Sequence, residues 1–220
     1  MALRALNLYL QVLKLTFKNE FENYCIQNFG EADLAAPLFY RFPIAIRYEI
    51  GTCFSYDSQY VRASVCRAFN IFNELFQSND TIYIVVNSFE HDTDTNDLTG
   101  NDISTIKTFI KKFIDECTFL YQPKEDTWSC KRYVIKVTVD NVDISRLLEE
   151  IVWSDVDGRN NLASGVYFIN PRNHIIFYLY DDRGLDIVAN KVSTLTRIYE
   201  KYNNWILNYD REQIDRLFLT

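Results

Sequence analysis

Three features of the sequence predict an α+β fold. Apolar stripes at helical period alternate with β-branched strand runs along the whole chain. Two of those runs, 166–169 and 174–180, are joined by Asn170-Pro171-Arg172-Asn173, a four-residue turn that reads as a hairpin. No shift in composition marks an internal boundary, so one domain over 1–220 is expected, with helices packing a mixed or mostly antiparallel sheet.

The elements follow in order. A first helix is expected from about Leu6 to Asn28, stopped by Gly30. Pro37 and Pro43 bracket an extended connection. Ile44, Ile46, Tyr48 and Ile50 then alternate with Ala45, Arg47 and Glu49, as in a strand with one buried face. Val61, Val65, Ala68, Phe69, Phe72 and Phe76 form one stripe of a helix from about Ser58 to Gln77. Thr81–Val86 is β-branched throughout most of its length and reads as a strand buried on both faces. A polar, turn-rich segment, Glu90–Asp102, forms a surface loop. A helix from about Ile103 to Cys117 would bury Ile103, Ile106, Ile110, Phe113, Ile114 and Cys117.

Further on, Tyr133, Ile135, Val137 and Val139 alternate with Val134, Lys136 and Thr138, the pattern of another strand. Asp143 is placed to cap a helix that turns Ile144, Leu147, Leu148 and Ile151 inward. Asp155-Val156-Asp157-Gly158-Arg159 reads as a turn. After the hairpin, Asp182-Arg183-Gly184 signals a turn, and Ile187-Val188 a short edge strand. A helix over about Lys191–Tyr202 buries Val192, Leu195, Ile198 and Tyr199. Asp210 and Gln213 resemble a capping box opening a last helix.

Charge and composition limit the function. The net charge is −7, and between Arg67 and Lys107 there is no Lys or Arg at all. That gap holds Glu74, Asp80, Glu90, Asp92, Asp94, Asp97 and Asp102, so one stretch accounts for the whole imbalance. A nucleic-acid partner, which requires a basic footprint, is not expected. A membrane partner is not expected either. The longest apolar runs, such as Ile175–Tyr180, fall far short of the roughly 20 residues that span a bilayer. The N-terminal apolar stretch is broken by Asn7, Gln11, Lys14 and Lys18 with no small-residue cleavage site after it, so it does not read as a signal peptide. The five cysteines show no C-x-x-C spacing; Cys66 and Cys117 fall on expected apolar helix faces. Reduced thiols in a cytoplasmic protein are the expectation.

Three groups of residues are candidates for function. Asp92-x-Asp94-x-Asn96 begins like a calcium loop, but Asp97 stands where that loop needs Gly and Ile103 where it needs Glu. Glu90, Asp92, Asp94, Asp97 and Asp102 therefore read as a solvated loop or as a docking surface that steers a basic protein partner. Asp181, Asp182, Arg183 and Asp186 stand at a strand end, where three carboxylates beside an Arg could bind a ligand or simply build a tight turn. Tyr202, Trp205 and Tyr209 are either a core seam or an aromatic partner patch. Nucleophile templates and Gly-rich phosphate loops are missing, so no catalytic residue, metal or cofactor is expected.

Several words of the sequence together resemble a known family. They are Tyr180-Asp181-Asp182-Arg183-Gly184-Leu185-Asp186-Ile187-Val188-Ala189, then Leu195 and Tyr199, then Tyr202-Asn203-Asn204-Trp205-Ile206-Leu207-Asn208-Tyr209-Asp210-Arg211. Pro37-Leu38-Phe39-Tyr40, Ile46-Arg47-Tyr48-Glu49-Ile50-Gly51, Arg67-Ala68-Phe69-Asn70-Ile71-Phe72 and Val166-Tyr167-Phe168-Ile169-Asn170 add to the likeness. From about residue 30 to the end, the chain resembles the bacterial family catalogued as domain of unknown function 3885. The resemblance implies no established activity. By analogy with other small acidic bacterial proteins, the expectation is a non-enzymatic protein-binding protein, such as an immunity or accessory protein that neutralises a basic toxin. An enzyme or small-ligand sensor using Asp181, Asp182, Arg183 and Asp186 is the alternative, and an oligomerisation module a third.

Overall fold

The computed structural model describes residues 2–52, 58–88, 102–124, 129–156, 162 and 165–219. Among them lie α1 (Ala2–Phe29), α2 (Leu38–Arg41), β1 (Ala45–Glu49), α3 (Ser58–Leu75), β2 (Thr81–Ser88), α4 (Asp102–Thr108) and β3 (Asp115–Tyr121). Then follow β4 (Cys130–Thr138), α5 (Ile144–Val156), β5 (Gly165–Asn170), β6 (Ile175–Leu179), β7 (Gly184–Ala189), α6 (Val192–Lys201) and α7 (Arg211–Phe218).

The strands form one antiparallel sheet in the order β1-β7-β6-β5-β2-β4-β3. This is the α+β architecture that the hairpin signal predicts. Register separates its two faces. Ile84 pairs with Phe168, and Phe168 with Phe177. On that face Phe72 of α3 meets both rings edge-on, at 5.5 and 5.3 Å. Aromatic pairs of this geometry add to the area they bury. α5 packs beside α3, and Glu74 of α3 forms ion pairs with Arg197 and Lys201 of α6. The opposite face carries Tyr83, against which Phe17, Phe21 and Tyr24 of α1 pack. A layer of helix thus lies on each side of the sheet.

Coverage of both faces explains several departures from the expected pattern. β1 is buried from Ala45 to Tyr48 on both sides, so Arg47 is an interior residue and not a solvated one. β7 has six residues, not two, and lies between β1 and β6, not at an edge. The connection after Pro37 contains the short helix α2. The helix expected to reach Cys117 ends at Thr108, and 115–121 pair with β4 as the outermost strand. Helical spacing of apolar residues there was outweighed by ladder hydrogen bonds available to a run that contains Cys117, Thr118, Phe119 and Tyr121. Cys117 is accordingly buried on a strand, while Cys66 is exposed on α3.

Candidate functional site

The loop between β6 and β7 starts the site. The Asp181 carboxylate accepts the backbone N–H groups of Arg183 and Gly184, at 2.8 and 2.7 Å, which closes the turn. Its other oxygen accepts from the Arg183 guanidinium at 2.9 Å. The Arg183 carbonyl accepts the N–H groups of Ile50 and Gly51, tying this turn to the end of β1. At Gly184 any Cβ would overlap the ring of Tyr180. The turn therefore requires its Gly for space.

Asp182 faces the α3 side. It is 1% exposed and accepts a hydrogen bond from the hydroxyl of Tyr60, on the first turn of α3. The last turn of α5 brings Asp155 alongside, so that carboxylate oxygens of Asp155, Asp181 and Asp182 all lie within 4.8 Å of one another. Asp155 thus belongs to a helix and not to the turn its sequence suggests. Burial pushes the Asp182 carboxyl above its ordinary value; Tyr60 opposes that shift and Asp155 adds to it. The trio has the donor chemistry for a hard cation, but two of its three carboxylates are already engaged, Asp182 by Tyr60 and Asp181 by its own turn and Arg183.

Asp186 faces the opposite side of the sheet and is fully buried. Cross-strand pairing puts it opposite Arg47 on one neighbour and Tyr178 on the other. Arg47 holds it through two parallel hydrogen bonds, Nε to Oδ1 at 2.8 Å and Nη2 to Oδ2 at 3.0 Å. The N–H of Phe39, in α2, donates to Oδ2 at 3.0 Å. A second acid, Asp210, sits 3.6 Å from Arg47 Nη1 and accepts the Tyr40 hydroxyl at 2.9 Å. The guanidinium lies over the rings of Tyr40, Phe39 and Tyr180, at 4.8 to 5.7 Å. Burial alone would lower its pKa, but the hydrogen bonds and charge of Asp186 hold it above the ordinary value. Beside it, a cavity of about 290 Å³ is lined by Ala36, Pro37, Arg47, Tyr178 and Tyr180.

The candidate residues therefore fall in separate places. Asp181, Asp182 and Arg183 stay together on the turn, while Asp186 belongs to the buried Arg47 site. Tyr202 is buried, stacks on Trp205 with centroids 4.7 Å apart, and donates to the Asn70 carbonyl. Trp205 also receives the Arg67 guanidinium over its ring at 5.3 Å. Tyr209 stands apart, 85% exposed. Glu90, Asp92, Asp94 and Asp97 lie outside the described residues, and Asp102 opens α4. The Asp210 carboxylate does not cap α7; it is spent on Tyr40 and Arg47.

A second guanidinium, one that no local sequence signal singles out, is buried in the sheet. Arg132, 1% exposed on β4, donates to Asn87 at 2.7 Å and to the carbonyls of Ala32 and Leu34, and lies 3.3 Å over the ring of Tyr121. Burial lowers its pKa to about 10. Its alternation with Tyr133 was visible, but only the coverage of both faces makes such a position interior.

A helix-flanked antiparallel α+β protein with a buried arginine–carboxylate site at the β1–β7 pair is what these features define. The chain belongs to the family described as Domain of unknown function (DUF3885), whose model matches residues 21–210. It is also similar to the "Uncharacterized protein YnaE" of Bacillus subtilis (strain 168), with 24% identity over 153 residues, covering 63% of this chain and 71% of that protein. No solved structure matches it. The Arg47, Asp186 and Asp210 site lies inside the family match, and the first five turns of α1 precede it.

Proposed function

We propose that this is a non-enzymatic protein-binding protein whose contact surface is the N-terminal part of α1. One observation carries the reading. Every described side chain from Leu6 to Thr16 is exposed, and among them are six large apolar ones: Leu6, Tyr9, Leu10, Val12, Leu13 and Leu15. Among the described side chains of the helix, the first buried one is Phe17. Monomeric proteins rarely present contiguous apolar surface of that extent, and where they do it marks an interaction site.

The charged site supports the same reading from the other direction. Asp186 is held by Arg47 and the Phe39 N–H, and Asp181 by its own turn, so these groups are committed to joining β1, β7 and α2. Glu90, Asp92, Asp94, Asp97 and Asp102 add acidic charge that would attract a basic partner at long range, and a toxin-neutralising role is the specific form of protein binding for which that charge argues.

Replacing Leu10 and Leu13 by Glu tests the reading, because Glu is a good helix former and both positions are exposed. In the cells that make it, the wild-type chain is expected in a protein complex larger than itself, and the Leu10→Glu/Leu13→Glu chain at its own mass with an unchanged melting temperature. Equal complexes for both chains would contradict the proposal. A small-ligand role is second. It has the cavity of about 290 Å³ in its favour, but the guanidinium in that wall is already paired with Asp186.

A further inference from the structure

The polar residues of the arm recur at Arg4, Asn7, Gln11, Lys14 and Lys18, spaced 3, 4, 3 and 4 residues apart. Such spacing puts them in one narrow line along a helix. Apart from Thr16, the remaining positions from Ala2 to Phe17 are apolar, and at 100° per residue they occupy about two-thirds of the circumference. Thr16 donates to the Val12 carbonyl within the helix. The arm is thus apolar on most sides, with one polar and basic line along the remainder.

Charge and area indicate the occupant. Up to residue 19 the chain has Arg4, Lys14 and Lys18 and no acid; the arm contributes +3 to a total of −7, so the rest carries −10. An anionic bilayer that attracts the arm would repel that body, whereas another copy of the body attracts it. Leu6, Tyr9, Leu10 and Leu13, the side chains that one partner helix can cover, are each about half exposed and offer on the order of 400 Å² per copy, so two copies would bury on the order of 800 Å², the size of a weak, reversible interface.

Resting on the reading of the arm as an interaction surface, we infer that its occupant is the arm of a second copy, the two running antiparallel about a two-fold axis. Leu6, Tyr9 and Leu13 are spaced as one seam, and pairing centred on residue 11 sets Tyr9 of each copy against Leu13 of the other. Each arm then runs toward the acidic body of the other copy.

Sedimentation velocity of the purified full chain is the test. A dimer at micromolar concentration is expected. Leu10→Glu/Leu13→Glu should raise the dissociation constant by at least 100-fold, and the separate Tyr9→Glu variant likewise. Arg4→Glu/Lys14→Glu should weaken the dimer about tenfold at low salt and little at 0.5 M salt. A wild-type chain that stays monomeric at 100 µM overturns the inference, as does a dimer indifferent to the Glu variants. Flotation with vesicles rich in phosphatidylserine is the companion measurement, and binding there by a monomeric chain would also overturn it. A monomer in pure solution that is still recovered from cells in an arm-dependent complex sinks the second-copy inference alone. A monomer in both settings sinks the protein-binding reading as well.

Discussion

Asp186 accepts three hydrogen bonds while fully buried, two from Arg47 and one from the Phe39 N–H. Removing one partner of such a pair leaves an unpaired charge inside, so Asp186→Ala is expected to destabilise the fold by about 3–5 kcal/mol in denaturant titration. A loss below about 1 kcal/mol would mean the pair is dispensable. Asp182 behaves differently because its burial favours the neutral carboxyl. Its folded value is raised, so its contribution is fully present below the ordinary carboxylate value and is lost as pH rises through the folded one. Asp182→Asn cannot ionise. Its melting temperature relative to wild type should therefore be most favourable near pH 7, should become less so as pH falls through the raised folded value toward about 4, and should level off below that. A difference between the two chains that does not change with pH would contradict the assignment. Asp210 shows how one side chain serves a distant site in preference to a local one. It stands at the N-cap position of α7, yet its oxygens go to Tyr40 and to Arg47.

At the scale of elements, legibility followed the strength of local signals. The Asn170–Asn173 turn, the stripe of α3 and the Asp143 start of α5 were plain in the sequence, since each depends on neighbours within a few residues. Asp143 indeed accepts the N–H of Arg146, at 3.3 Å. β3 was not legible: Ile103, Ile106 and Ile110 continue at helical period, and only the partner strand β4 decides that 115–121 are extended. The interior place of β7 was hidden for the same reason, because β1, its partner, lies more than a hundred residues upstream. The candidate site was half visible. Asp181, Asp182 and Arg183 could be found as a turn, but the partners that give Asp182 and Asp186 their environment, Tyr60, Asp155, Arg47 and Phe39, come from four other elements.

Taken whole, the molecule separates its roles by place. The sheet between its helical layers holds two buried guanidinium groups, each satisfied by carboxylates, amides or carbonyls of the same chain. Charge is divided as well, with +3 and no acid up to residue 19 and −10 beyond. No helix among the described residues is long and apolar enough to cross a membrane. On the proposal made above, the apolar arm is where the chain meets another protein. Amide hydrogen exchange on the assembly isolated from producing cells tests that claim most directly. A free, uncovered helical end opens readily, whereas a covered one is protected together with the structure it joins. Protection over residues 2–16 should match that over 17–29 in the assembly and collapse in Leu10→Glu/Leu13→Glu. Exchange over 2–16 at the rate of unfolded chain in the wild-type assembly, with 17–29 protected, would contradict the account.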